Sequence, residues 1–135
     1  MQFHGAKIAL LTETALPVIL RDTRPDIPWP GFWDLPGGGR EGCETPVDCA
    51  RRETLEELNI EVRPDQIVWG RSFLTDGRRH WFFCAHLKPG DLTGAQLGDE
   101  GQRWEMMPVT AFLGHRRVVP HFRGRLQLFL EETGS

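Results

Sequence analysis

A proline and three consecutive glycines, Pro36 to Gly39, stand just upstream of the strongest helix signal in the chain, Pro46 to Leu58. This pairing constrains the fold more than any other feature. The glycines let the backbone bend tightly and approach another group closely. Thr45 is a good N-cap, Pro46 suits the first helical position, and Asp48 sits where a capping box wants an acid. Asn59 can adopt the left-handed conformation that closes a helix. At about 100° per residue, Val47, Ala50, Thr54 and Leu58 share one stripe, which should face the core. Glu53, Glu56 and Glu57 share a second stripe. Like charges at these spacings repel by a few tenths of a kcal/mol per pair, and Glu44 adds a further acid just before the helix.

The segments around this unit read mainly as short strands. Lys7 to Leu11 and Leu16 to Arg21 are apolar runs separated by Thr12–Glu13–Thr14, the pattern of a hairpin. Asp22 to Gly31 carries Pro25, Pro28 and Pro30 and should be an irregular loop. Phe32 to Leu35 is a short apolar stretch. Gln66 to Leu74 and His80 to Leu87 are joined across an Asp76–Gly77 turn, which predicts a hairpin. Trp81 to Ala85 is apolar on both faces and belongs in the middle of a sheet. Gln102 to Met107 reads as a strand and Pro108 to Leu113 as a helical turn. A last helix should begin near Pro120, with Phe122, Leu126, Phe129 and Leu130 on one stripe and Gly124 weakening it. The order predicts an α/β fold, a mixed β-sheet with helices on its faces.

A length of 135 residues suits one domain spanning 1–135. No stretch reaches the roughly 20 apolar residues that would span a bilayer. Met1 to Leu11 lacks the pattern of a signal peptide. Cys43, Cys49 and Cys84 form no CxxC pair, and their odd number argues for reduced thiols in the cytoplasm. The net charge of −3 gives no polycationic surface for nucleic acid.

The acidic stripe has a plain explanation, a solvated helix face softened by Arg40, Arg51 and Arg52. The preceding glycines favour another. Clustered oxygen ligands near a backbone that can approach phosphate suit Mg²⁺, with Mn²⁺ a substitute. The spacing agrees. Gly38, five residues, Glu44, seven residues, then Arg52–Glu53–Thr54–Leu55–Glu56–Glu57–Leu58–Asn59–Ile60 resembles the Nudix box. Thr54 stands where that box has an aliphatic residue and Asn59 where it has glycine. No acid of the box is missing.

The resemblance implies a Nudix-type α/β/α sandwich and hydrolysis of a phosphoanhydride bond in a small nucleotide-like substrate. It implies Glu53, Glu56 and Glu57 as main metal ligands and Arg52 as their orienting partner. Glu44 would contribute indirectly, and Gly38 and Gly39 would supply backbone contacts. Glu100 is the preferred general base, with its neighbour Asp99 or a helix glutamate, Glu53 or Glu56, as alternatives. For substrate contacts, Arg79 at the hairpin tip and Trp81 are the preferred candidates, ahead of Arg24, Trp29, Phe32, Arg71, Arg78, His121 and Phe122. The basic stretch His115, Arg116, Arg117, Arg123 and Arg125 reads as surface, with a hold on a polyphosphate tail as the alternative. A non-catalytic nucleotide-binding regulator and an RNA-end processing enzyme are the alternatives. The intact acids argue against the first and the net charge against the second. A cytoplasmic location and a homodimer fit the resemblance.

Overall fold

The computed structural model describes residues 2–134. Seven strands are formed: β1 (Gly5–Leu11), β2 (Ala15–Leu20), β3 (Trp33–Asp34), β4 (Gly37–Gly39), β5 (Ile67–Thr75), β6 (Arg78–His86) and β7 (Arg103–Pro108). Three α-helices accompany them: α1 (Pro46–Leu58), α2 (Val109–Gly114) and α3 (Pro120–Thr133). The mixed α/β class expected from the sequence is observed.

The strands form two sheets rather than one. The larger has the order β4-β1-β6-β5, with β1 parallel to β6 and the other pairs antiparallel. The smaller has the order β3-β2-β7, all antiparallel. The hairpin expected for the first two strands is therefore corrected. The Thr12 N–H does donate to the Ala15 carbonyl across a turn, at 2.9 Å. Beyond it, β1 and β2 enter different sheets. The reason is burial: both strands are buried along most of their length, so each is a central strand with better partners elsewhere. The hairpin of β5 and β6 is as expected, with Asp76 and Gly77 at φ 53° and 75°.

Alternation along β6 divides the core. Phe82 and Cys84 pack with Leu16, Val18, Phe112, Leu126 and Phe129, between the larger sheet, β2 and the last two helices. Phe83 and Ala85 pack with Ile8, Leu10, Ala50, Leu58 and Ile60 on the face that α1 covers. α1 thus lies against one face and α3 against the other. At ~25 cal/mol per Å² of apolar surface removed from water, each buried aromatic contributes a few kcal/mol. α1 packs closely on β1 and β4, which brings its acidic stripe beside the glycines.

Candidate active site

The helix carrying the acids is fixed at both ends. Thr45 Oγ1 accepts from the Asp48 N–H at 3.1 Å, and Pro46 occupies the first turn. At the other end Asn59 takes the left-handed conformation, φ 54° and ψ 37°. Its side chain also donates to the Gly94 carbonyl at 3.1 Å. Thr54, the aliphatic position filled by a polar residue, is fully buried. Its hydroxyl donates to the Ala50 carbonyl at 2.7 Å, so this buried hydroxyl is paired.

Glycine is required twice beside the helix. Gly37 has φ 132°, and a Cβ there would collide with the Ala6 carbonyl and lie 2.6 Å from Lys7 Cα. Only glycine lets β4 sit this close to β1. A Cβ on Gly38 would strike the Glu53 carboxylate. The Gly37 N–H donates to Glu57 Oε1 at 3.0 Å, so the glycine strand presents backbone directly to the acids.

Arg52 is the hub of the acidic cluster. Its Nε donates to Glu44 Oε2 at 2.6 Å, and Nη1 lies 3.1 Å from Glu53 Oε2 and 3.2 Å from Glu56. Nη2 donates to the Gly39 carbonyl at 2.9 Å. The hydrogen bond from Arg52 holds the Glu44 carboxyl below its ordinary range, and the acids in turn raise the Arg52 pKa. Glu53 behaves differently. Its burial raises its pKa, and Arg52 only partly opposes this. Burial pushes Glu57 up to about 7, against the pull of Lys7 and the Gly37 N–H. Two carboxylates are thus held where their negative charge is under-compensated.

Glu53, Glu56, Glu57, Asp99 and Glu100 all line one open cleft of about 650 Å³, with Gly37 to Gly39 on its wall. The last two acids arrive on a loop docked on the end of α1. The Gln96 and Gly98 N–H groups donate to the carbonyls of Leu58 and Glu57 at 3.0 and 2.9 Å, satisfying carbonyls that a helix end leaves orphaned. A Cβ on Gly98 would strike the Glu56 carbonyl, so this docking also needs glycine. Among the described residues no three His, Cys, Asp or Glu side chains are already gathered at ligating spacing. The donor set nevertheless suits Mg²⁺, being all oxygen, with desolvated carboxylates short of positive charge on the cleft side.

A second pocket of about 430 Å³ adjoins the cleft, sharing Lys7, Arg21, Gly38 and Gly39 with it. Its other walls include Trp29, His80, His121 and Phe122. Buried Asp34 ties the shared cations together. Lys7 lies 3.1 Å and Arg21 2.7 Å from its carboxylate, and Lys7 also donates to the Leu35 and Gly37 carbonyls. Sequence reading passed over Asp34 and Lys7, although a charged residue inside an apolar run was the available signal.

Not every expected residue reaches the cleft. Glu44 and Arg52 stand behind it, engaged with each other. Arg79 lines neither cavity, because its guanidinium donates to Ser72 Oγ on the neighbouring strand at 2.7 Å. Trp81 borders the second pocket and stacks on Phe83 at 5.7 Å. Arg125, read as surface, is only 8% exposed; its place on the inner face of α3 explains the difference.

A NUDIX domain model matches residues 3–126. A Bacillus subtilis (strain 168) protein named as a provisional 8-oxo-dGTP diphosphatase is 32% identical over 132 residues, 96% of this chain and 73% of that protein. The MutT protein of Methanosarcina mazei Go1 superposes with a TM-score of 0.77 at 20% identity, over 97% of this chain and 94% of that one. An Ap4A hydrolase of C. elegans, solved as a binary complex, gives 0.69 at 19% identity, over 95% and 98%.

Proposed function

The chain belongs to the NUDIX domain family of pyrophosphohydrolases, and on that premise we propose that it cleaves a nucleoside di- or triphosphate or another nucleoside diphosphate-linked compound with the help of Mg²⁺. The observation that carries this reading is the shared wall of the two cavities. Seven carboxylates line the cleft, Asp22 and Asp34 joining the five named above, and an aromatic pocket adjoins it, with Lys7 and Arg21 shared by both. A phosphate chain with an aromatic base at its end matches that polarity. The names of the similar proteins, an 8-oxo-dGTP diphosphatase and an Ap4A hydrolase, support the same class.

Glu53, Glu56 and Glu57 would hold the ion, with Glu44 acting through Arg52. Bound there, Mg²⁺ would withdraw charge from phosphate oxygens and acidify a water. The chain's own groups do the rest. Arg52 restrains the acids, and the glycine strand keeps side chains out of the space beside Glu53. Glu100 is assigned as the base that takes the water proton as the new P–O bond forms and the anhydride P–O bond breaks. Within this reading the enzyme is cytoplasmic, needs no membrane or nucleic-acid partner, and is compatible with a homodimer.

The test is product analysis over a panel of nucleotides, dinucleoside polyphosphates and nucleotide sugars with Mg²⁺, with Mn²⁺ and with EDTA. Glu53→Gln should fold normally and lose at least ~100-fold in turnover, since an electrostatic group at a phosphate-transfer site contributes several kcal/mol. Full turnover by the wild type in EDTA would remove the metal from the mechanism.

A further inference from the structure

Arg125 is the one cation among the buried polar residues of the described chain, which are otherwise Asp34, Thr54 and Gln66. Asp34 is neutralised by Lys7 and Arg21. Thr54 and Gln66 are hydrogen-bonded. Arg125 has no ion pair with a carboxylate among the described residues. Its guanidinium donates to Thr75 Oγ1 at 3.0 Å and lies 4.4 Å from the centre of the Phe73 ring. A guanidinium held by one hydroxyl and one ring face keeps further N–H donors to spare, and buried charges of this kind cluster at functional sites. Arg125 lines the aromatic pocket, so those donors are available to a group that enters there.

We propose that Arg125 reads the base of the substrate and selects rings that present oxygen and ring-nitrogen acceptors along one edge, as guanine and hypoxanthine do, over adenine. This rests on the nucleotide reading given above. The aromatic side chains of the pocket offer surfaces for a flat ring. His121 and Phe122 meet edge-to-face at 4.7 Å, and Trp29 borders the mouth at φ 51° with its ring 6.4 Å from that of His121. A guanidinium offers parallel donors that match O6 and N7 of an oxo-purine, whereas the N6 amine of adenine would point a donor at a donor. No acid lines this pocket to accept from an amine.

The probes are GMP, IMP, AMP and inorganic phosphate, titrated calorimetrically against the whole protein, alongside kcat/KM for GTP, ITP and ATP. Wild type should prefer GMP and IMP over AMP by roughly 10–100-fold, the discrimination of one good bidentate pair. Arg125→Lys keeps the charge and loses the fork, and Arg125→Met keeps the volume and loses both. Each should collapse the preference toward unity, with an unfolding transition showing that the variant is folded. Equal binding of GMP and AMP by wild type would overturn the proposal. So would Arg125→Lys retaining the full preference, or inorganic phosphate displacing GMP from this pocket at similar concentration. Hydrolysis that ignores the base would leave the proposed function standing and remove this inference. Selective GMP binding without hydrolysis would do the reverse.

Discussion

Replacing Glu57 by glutamine should stabilise the metal-free protein at high pH and not at low pH. The Glu57 carboxyl is raised from an ordinary 4.5 to about 7, chiefly by burial. Between these values the folded chain holds a proton that the unfolded chain has released. Stability contributed by this group is therefore complete below pH 4.5 and lost as pH rises to 7. At about 1.4 kcal/mol per tenfold change in proton affinity, the full penalty reaches about 3 kcal/mol. Water reaching the cleft side should reduce it to about 2 kcal/mol. Glutamine keeps an oxygen to accept the Gly37 N–H but carries no charge. Thermal unfolding in EDTA should put Glu57→Gln roughly 6–10 °C above wild type at pH 8, with the two converging near pH 4.5. Added Mg²⁺ should then raise the wild-type transition and barely move the variant, because binding to the folded state alone stabilises it. A Tm difference that is the same at both pH values would refute the argument, since it would have to arise from packing rather than charge.

Gly98→Ala should lower the Tm by several degrees and slow turnover, because its methyl meets the Glu56 carbonyl and must displace the loop bearing Asp99 and Glu100; an unchanged Tm would show that the loop shifts freely. Asn59→Ala should cost about 1–2 kcal/mol through left-handed strain and the lost bond to Gly94. Asn59→Gly, which relieves the strain while losing that bond, should fall within about 1 kcal/mol of wild type by urea unfolding. Glu100→Gln should lower kcat by ~100-fold with KM little changed, and Asp99→Asn should be mild. The reverse order in steady-state kinetics would move the base to Asp99.

What could be read directly was whatever depends on neighbours in the chain. The α1 boundaries, the Thr45 cap, the left-handed Asn59 and the Asp76–Gly77 turn follow from local backbone preferences, and each is seen in the structure. The acidic stripe was legible for the same reason, because helical periodicity alone aligns Glu53, Glu56 and Glu57. Pairing between distant segments was not. The β1–β2 hairpin looked sound locally, but two buried strands each found stronger partners in separate sheets. Nothing local to the loop at Gly98 signalled its docking on the end of α1. Tertiary structure also decided the meaning of isolated charges. Arg79 and Arg125 both looked like surface-accessible arginines. Across-strand pairing tied the first to Ser72, and the rotation of α3 buried the second beside the aromatic pocket. Burial sets the energy of a charge, and burial is a property of the packed chain, so only the folded structure could separate them.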